Sequence, residues 1–364
     1  MTGIYIHVPF CERKCPYCAF YSVIPQEDVR ERFTARIVED ISRFGERIQA
    51  DTVYFGGGTP ALLGAENIGR ILSQLRQSFE LVSPEITVEC NPNSITSDAL
   101  EKMRAAGVNR LSVGVQSLDD GELEFLGRLH NSRQAQDTLI NAAAAGFDNI
   151  SADLMLGIRG QTSDSISDAV RRLKELGVKH ISIYMIKVEQ GTAFDSPAVR
   201  RRLTDDDETA QLYLAAVSAC QSAGFEQYEI SNFACPGFES RHNLKYWRCQ
   251  EYLGFGPSAH SFYNGVRYCM PSNLGEYMKG CEAVITDPSP DRAEEYVMLG
   301  LRLNEGISLD RAASLGLDSN RAEKAASLAS KLAEKGLCRV SGEMVSLMPE
   351  GMLVSNSIIA AFLA

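Results

Sequence analysis

Six short segments rich in β-branched and aromatic residues alternate with longer helical stretches through the first two thirds of the chain. No other feature restricts the fold as much. The segments are 3–8 (GIYIHV), 52–56 (TVYFG), 85–90 (EITVEC), 110–115 (RLSVGV), 149–157 (NISADLMLG) and 180–186 (HISIYMI). Runs of this kind suit strands covered on both faces. Helical patterns fall near 28–48, 66–79, 97–106, 134–146, 164–176 and 206–224. Thr96 stands where a helix N-cap belongs, and Gly107, Gly146, Gly177 and Gly224 stand where a left-handed residue ends a helix. Six βα units with short connections predict a parallel sheet, and right-handed crossovers curl it into a partial barrel. The expected fold is therefore α/β, a partial (β/α)6 barrel with its ligands at the carboxyl ends of the strands. The loops to watch are His7–Tyr21, Gly56–Pro60, Asn91–Pro92 and Gln116–Ser117.

The rhythm changes after residue 224. The stretch 225–272 is rich in aromatics, Gly and Pro, with a strand at FEQYEIS and otherwise no clear period. Helical patterns return at 291–303 and 320–336, then a hairpin around Ser341-Gly342 and an apolar helix at 350–363. This predicts three parts: a barrel over 1–224, an irregular connection over 225–290, and a small helical, winged-helix-like domain over 291–364.

Composition excludes some classes of function. Among 364 residues, 36 basic against 47 acidic give a net charge of −11, which argues against a general nucleic-acid binder. No stretch approaches the roughly 20 apolar residues of a membrane helix, leaving at most peripheral membrane contact. The N-terminus, MTGIYIHVPFCERKC, does not read as a signal peptide, and the ten cysteines suit a reducing compartment; a cytoplasmic location is expected.

Directly after the first predicted strand, CERKCPYC places Cys11, Cys15 and Cys18 in the spacing C-x3-C-x2-C. Three thiolates on one tight loop can each ligate one iron of a cubane, leaving the fourth iron open. A zinc knuckle or free thiols are the alternatives; zinc usually takes two separated ligand pairs, and three clustered cysteines argue against idle thiols. The remaining cysteines, 90, 220, 235, 249, 269, 281 and 338, lack such spacing.

With Tyr17 before the third cysteine, this pattern resembles the signature of the radical-SAM superfamily. The wider YIHVPFCERKCPYCAF resembles the branch that contains oxygen-independent coproporphyrinogen III oxidase and the HemW-type haem chaperones. The resemblance implies a 4Fe-4S cluster on Cys11, Cys15 and Cys18, S-adenosylmethionine (SAM) on the open iron, and an electron donor for the cluster. It also implies SAM contacts from Tyr5 and Tyr17, from Gly57, Gly58 and Thr59 in FGGGTP, and from Glu89, Gln116, Arg128 and Asp153. Glycines at a strand exit allow backbone to approach a ligand, and Arg128 could grip a carboxylate bidentately. His7 has no assigned role. One departure stands out: GIRGQT carries Arg159 where the superfamily segment has proline, which suggests a less rigid loop.

Two features separate oxidase from chaperone. Phe20 stands where oxidases have a fourth cysteine, and only ten residues precede Cys11. HNLKYW at 242–247 matches the H-N-x-x-Y-W motif of the haem-binding branch, which makes His242 the expected axial ligand of haem iron. The expected function is a haem chaperone delivering haem to acceptor apoproteins. The alternatives are oxidative decarboxylation of coproporphyrinogen III and radical methylation of a tetrapyrrole.

Overall fold

The structure is a computed structural model and describes residues 1–26 and 28–364. Six parallel strands form its centre: β1 (Thr2–Val8), β2 (Gln49–Gly57), β3 (Glu80–Cys90), β4 (Arg110–Gln116), β5 (Asn149–Leu156) and β6 (His180–Met185), joined in that order. Helices follow at Val29–Arg43, Ala65–Ser78, Ser97–Ala106, Ser132–Ala144, Ser163–Glu175 and Asp206–Ser222. The Thr96 hydroxyl accepts from the Ala99 amide, and Gly107 closes that helix at φ 105°, as the sequence predicts.

The strands alternate between their two faces, with register breaks after Thr2, Ala50 and Val113, which explains why they read as β-rich without being uniformly apolar. Ile4, Ile6, Val53, Phe55, Val88, Leu111, Val113, Ile150 and Ile181 belong to one large core with the outer helices. The intervening residues face the bore. Strand register puts Tyr5, Tyr54, Thr87, Arg110 and Asn149 in one layer, and Glu89, Ser112, Ser151 and His180 in the next. A bore lined by such groups is built to meet polar ligands; an apolar one would pack shut.

The segment after 224 is more ordered than its sequence suggests. It supplies β7 (Glu226–Gln227) and β8 (Asn232–Ala234), which extend the sheet beyond β6. It also supplies β9 (Tyr252–Phe255), β10 (His260–Tyr263), β11 (Val266–Cys269) and β12 (Val284–Asp287), which extend it beyond β1. Strands of two to four residues are too short to show a period of two, so their pairing is invisible in sequence. Between the two groups the helix Arg241–Trp247 packs beneath the amino ends of β1 and β2. Lys245 donates to the Met1 carbonyl at 2.8 Å and pairs with Asp51 at 2.7 Å.

Residues beyond 290 build a second core around Val297, Leu301, Ile307, Val345 and Phe362. Its small sheet runs β13 (Ile307–Ser308), β15 (Met344–Leu347), β14 (Cys338–Ser341), with the turn at Gly342 as anticipated. The final apolar stretch is two helices, Pro349–Leu353 and Ser355–Phe362. The architecture is thus α/β, with a small separate C-terminal core.

Candidate cluster and SAM site

The cysteine loop leaves β1 and folds back on itself: the Cys11 amide donates to the Val23 carbonyl at 3.0 Å, and the Val23 amide to Pro9 at 2.7 Å. Cys11, Cys15 and Cys18 are free and partly exposed at the carboxyl end of the barrel. Burial raises the thiol pKa of Cys11 and of Cys18. Cys15 adds to the rise at Cys11, and Cys15 and Cys11 to that at Cys18, yet among the described residues no three His, Cys, Asp or Glu groups close onto one metal position. Drawing the thiols together on the loop is left to whatever metal centre they hold.

Several residues expected from sequence converge here. Thr59 donates to Cys11 Sγ at 3.8 Å. Arg128 Nη1 lies 3.3 Å from Cys15 Sγ and 3.4 Å from the Tyr17 hydroxyl, while Nη2 donates to the Gly114 carbonyl at 3.1 Å and to Asn91 Oδ1. Arg128 is therefore held beside Cys15, and a carboxylate arriving there would meet a guanidinium already oriented. Asn91 also donates to Thr59 at 2.9 Å, tying these contacts into one network. Sequence reading marked only its loop. Gly114 was missed as well: a Cβ there would sit 2.8 Å from Asn91 Oδ1 and 2.9 Å from Gln116 Nε2, so only glycine lets them converge. Gln116 itself is buried and left-handed at φ 66°.

The glycine loop at the end of β2 has steric reasons for all three residues. A Cβ on Gly56 would lie 3.0 Å from the rings of Tyr5 and Tyr54. On Gly57 (φ 112°) it would meet the His7 ring at 2.7 Å, and on Gly58 the Phe10 carbonyl at 2.5 Å. The Gly57 amide donates to Glu89 at 3.3 Å, and Tyr54 donates to the other carboxyl oxygen at 2.8 Å. Burial raises the Glu89 pKa to about 7, with Asp153 adding to the rise. Asp153 accepts from Ser112 at 3.4 Å and is raised to about 6, again by burial first. Tyr54, absent from the sequence-derived set, is recognisable afterwards as the inward neighbour of Thr52 in a strand of period two.

His7 acquires a place. Tyr5 donates to Nδ1 at 3.1 Å, and Nε2 donates to the Tyr21 carbonyl at 3.3 Å, which fixes the neutral Nε2–H tautomer. Burial lowers its pKa to about 4. His7 therefore braces the end of the cysteine loop against β1. Arg159, in place of the expected proline, uses the amide that proline lacks: it donates to the Arg202 carbonyl at 2.9 Å. The Gln161 side chain accepts from the Gly157 amide at 2.9 Å and the Ile158 amide at 3.1 Å, so the turn is tied down without proline.

His242 is not gathered into this set. It lies at the opposite, amino end of the bore, fully buried, with Nδ1 2.8 Å from Thr52 Oγ1 and Nε2 2.8 Å from the Tyr246 hydroxyl. Its ring stacks near Tyr54, centroids 5.2 Å apart, and burial lowers its pKa to about 3. Both nitrogens are engaged, so the imidazole as placed has no free lone pair for iron. From this helix Asn243, Tyr246 and Trp247 reach the open groove instead.

The fold and the cysteine loop define a radical-SAM protein. Residues 5–173 match the Radical SAM superfamily, and residues 287–354 match the HemN C-terminal domain. The chain belongs to the HemW haem chaperone family. It is 35% identical to the haem chaperone HemW of Bacillus subtilis, covering 100% of this chain and 99% of that one. It is 33% identical to HemW of Mycobacterium tuberculosis H37Rv, with 99% and 94% covered. The coproporphyrinogen III oxidase (HemN) structure from Escherichia coli superposes with a TM-score of 0.82 over 99% of this chain and 89% of that one. At 20% identity it shows a shared fold. Membership of the superfamily implies a 4Fe-4S cluster and SAM, and the donor set suits both: three thiols for iron, and polar groups and bare glycine backbone for a nucleoside and an amino acid.

Replacing Cys15 by alanine should leave the cluster-free protein within about 0.5 kcal/mol of wild-type stability, because the thiol is partly exposed and outside the core. Iron and sulfide content after anaerobic reconstitution should fall to background. Retention of a full cluster by Cys15→Ala would remove Cys15 from the ligand set.

Proposed function

We propose that this protein binds haem and hands it to acceptor apoproteins, with the 4Fe-4S cluster and SAM held at the carboxyl end of the same barrel. One observation carries the haem reading: the HNLKYW helix forms a wall of an open groove of about 600 Å³, in the size range of small-molecule sites. Tyr184, Tyr246, Trp247, Tyr252, Met298 and Leu299 contribute its apolar and aromatic surface. Flat aromatic faces with polar rims suit a macrocycle. Tyr246 and Tyr252 also line a second cavity, with Tyr5, His7, Phe20 and Tyr21 beside the cysteine loop. The two cavities thus share a wall. The relatives named as haem chaperones point the same way.

When bound, the cluster supplies the electron that can cleave a carbon–sulfur bond of SAM; a donor protein would reduce it. The chain's own residues do the remainder. Arg128 would receive the methionine carboxylate, the Gly57 to Thr59 backbone would take the amino group, and Glu89 and Asp153 would offer carboxyl oxygens to the nucleoside. Cys11, Cys15 and Cys18 hold the iron, and Tyr5, Tyr17 and Gln116 close around the ligand. Among the described residues no helix is long and apolar enough to cross a membrane. A cytoplasmic location, with at most peripheral membrane contact, fits the proposed role.

His242 serves the groove by fixing Tyr246, and ligation of iron by His242 would require Nε2 to release that hydroxyl. Reconstituted protein should bind haem near one equivalent and yield no divinyl product from coproporphyrinogen III. His242→Ala should weaken uptake or shift the Soret band. Decarboxylation above a Cys11→Ala control would replace the chaperone reading with the oxidase one, and an unaltered haem titration for His242→Ala would remove His242 from the site.

A further inference from the structure

Beside the aromatic groove lies a second hollow of about 380 Å³, formed where the barrel meets the C-terminal core. The two share Cys249 and Glu295, so they are compartments of one depression. Four guanidinium groups surround this junction, from Arg248, Arg267, Arg292 and Arg311. Two are committed. Arg248 grips Glu305 through Nε at 3.0 Å and Nη2 at 2.9 Å, and Arg267 Nε pairs with Glu295 at 2.5 Å.

Arg292 and Arg311 make no ion pair among the described residues; Arg311 Cζ lies over the Tyr296 ring, 4.9 Å from its centroid. The Arg267, Arg311 and Arg292 charges all bear on the Cys249 thiol, which burial nonetheless pushes up to about 11. In a chain of net charge −11, the hollow adjoining the aromatic groove thus offers two guanidiniums that no carboxylate neutralises among the described residues. Arginine forks of this kind match carboxylates.

We propose that Arg292 and Arg311 recognise the two carboxylates of a tetrapyrrole whose ring lies on Tyr246, Trp247 and Tyr252. The site would thus select for free propionates and orient the macrocycle with its carboxylate edge toward the C-terminal core. This rests on the haem reading above and adds to it a direction of binding and a basis for selectivity.

The test titrates the full-length reconstituted protein with ferric haem and with haem dimethyl ester, whose carboxylates are neutral, in the same detergent. Wild type should bind haem about tenfold more tightly than the ester, the effect expected of two partly exposed charged contacts. R292Q/R311Q should bind haem about as weakly as wild type binds the ester, and should no longer distinguish the two. R133Q, which removes a highly exposed arginine from the far helix Ser132–Ala144, should behave as wild type. Equal wild-type affinity for haem and ester, or discrimination surviving in R292Q/R311Q, would overturn the arginine assignment while leaving haem binding intact. Failure of wild type to take up either ligand would overturn the haem reading itself.

Discussion

Substituting Gly58 by alanine is expected to lower SAM affinity by at least tenfold while leaving the iron content of reconstituted protein unchanged. The added methyl would lie 2.5 Å from the Phe10 carbonyl oxygen and 3.0 Å from two further Phe10 backbone atoms. Backbone cannot swing aside as the tip of a side chain can, so the loop 56–60 must move. Overpacking of this kind costs about 1–3 kcal/mol. The Gly58 amide donates to Val8 at 2.8 Å and the Thr59 amide to Phe10 at 2.7 Å, so displacement would disconnect the glycine loop from the strand that leads to Cys11. Calorimetric titration with SAM, paired with iron analysis, reads the two effects separately. Wild-type SAM affinity in Gly58→Ala would mean that this loop does not border the ligand.

The second large effect is on stability in acid. Burial lowers the pKa of His7 and of His130 to about 4, of His242 to about 3, and of His180 as well, so four of the five histidines are neutral in the folded protein. Unfolded, each would take a proton near pH 6.5. The unfolded state therefore binds more protons as pH falls, and these groups stabilise the fold above 6.5 and lose that contribution as pH drops toward 3.

Glu89 and Glu229, raised to about 7, and Asp153, raised to about 6, act in the opposite sense. Their folded forms hold protons that the unfolded chain releases above about pH 4, so stability falls as pH rises through 4 to 7. The two sets partly cancel between pH 4.5 and 6.5. Below that the carboxyls are protonated in both states, and the imidazoles dominate. Urea denaturation of cluster-free protein should show a shallow pH dependence in the first window and steep loss below it. His242→Gln, which cannot charge, should flatten the loss by an amount on the order of 4 kcal/mol between pH 7 and 3. Parallel curves for wild type and His242→Gln would show that His242 is not a source of the acid sensitivity.

The barrel was legible because its information is local. Each strand of β1–β6 is long enough to show its residue types, and four of the six outer helices carry a recognisable side-chain cap. The cysteine loop was legible for the same reason, three cysteines falling within eight residues. The surroundings of His242 were not. Thr52, Tyr54 and Tyr5 reach it from strands nearly two hundred residues away or more, and a motif match carries no information on depth. Gly114 was hidden for a related reason: its neighbours Asn91, Gln116 and Arg128 come from three different segments, and nothing around position 114 hints that they meet.

Strand β1 is made before every other strand of its sheet, yet one of its two edges stays unsatisfied until all six barrel strands have been made. Gly3 pairs with Tyr252 and Ile6 with Phe255, whereas on the other side they pair with Thr52 and Phe55. Throughout the synthesis of the intervening residues, the amides and carbonyls of that edge are open to wrong partners. Contacts so distant in sequence form late and slowly. Nascent chains halted before β9 should thus be recognisably more prone to aggregate than chains halted just after it, and the exposed edge is where a folding chaperone would be of most use.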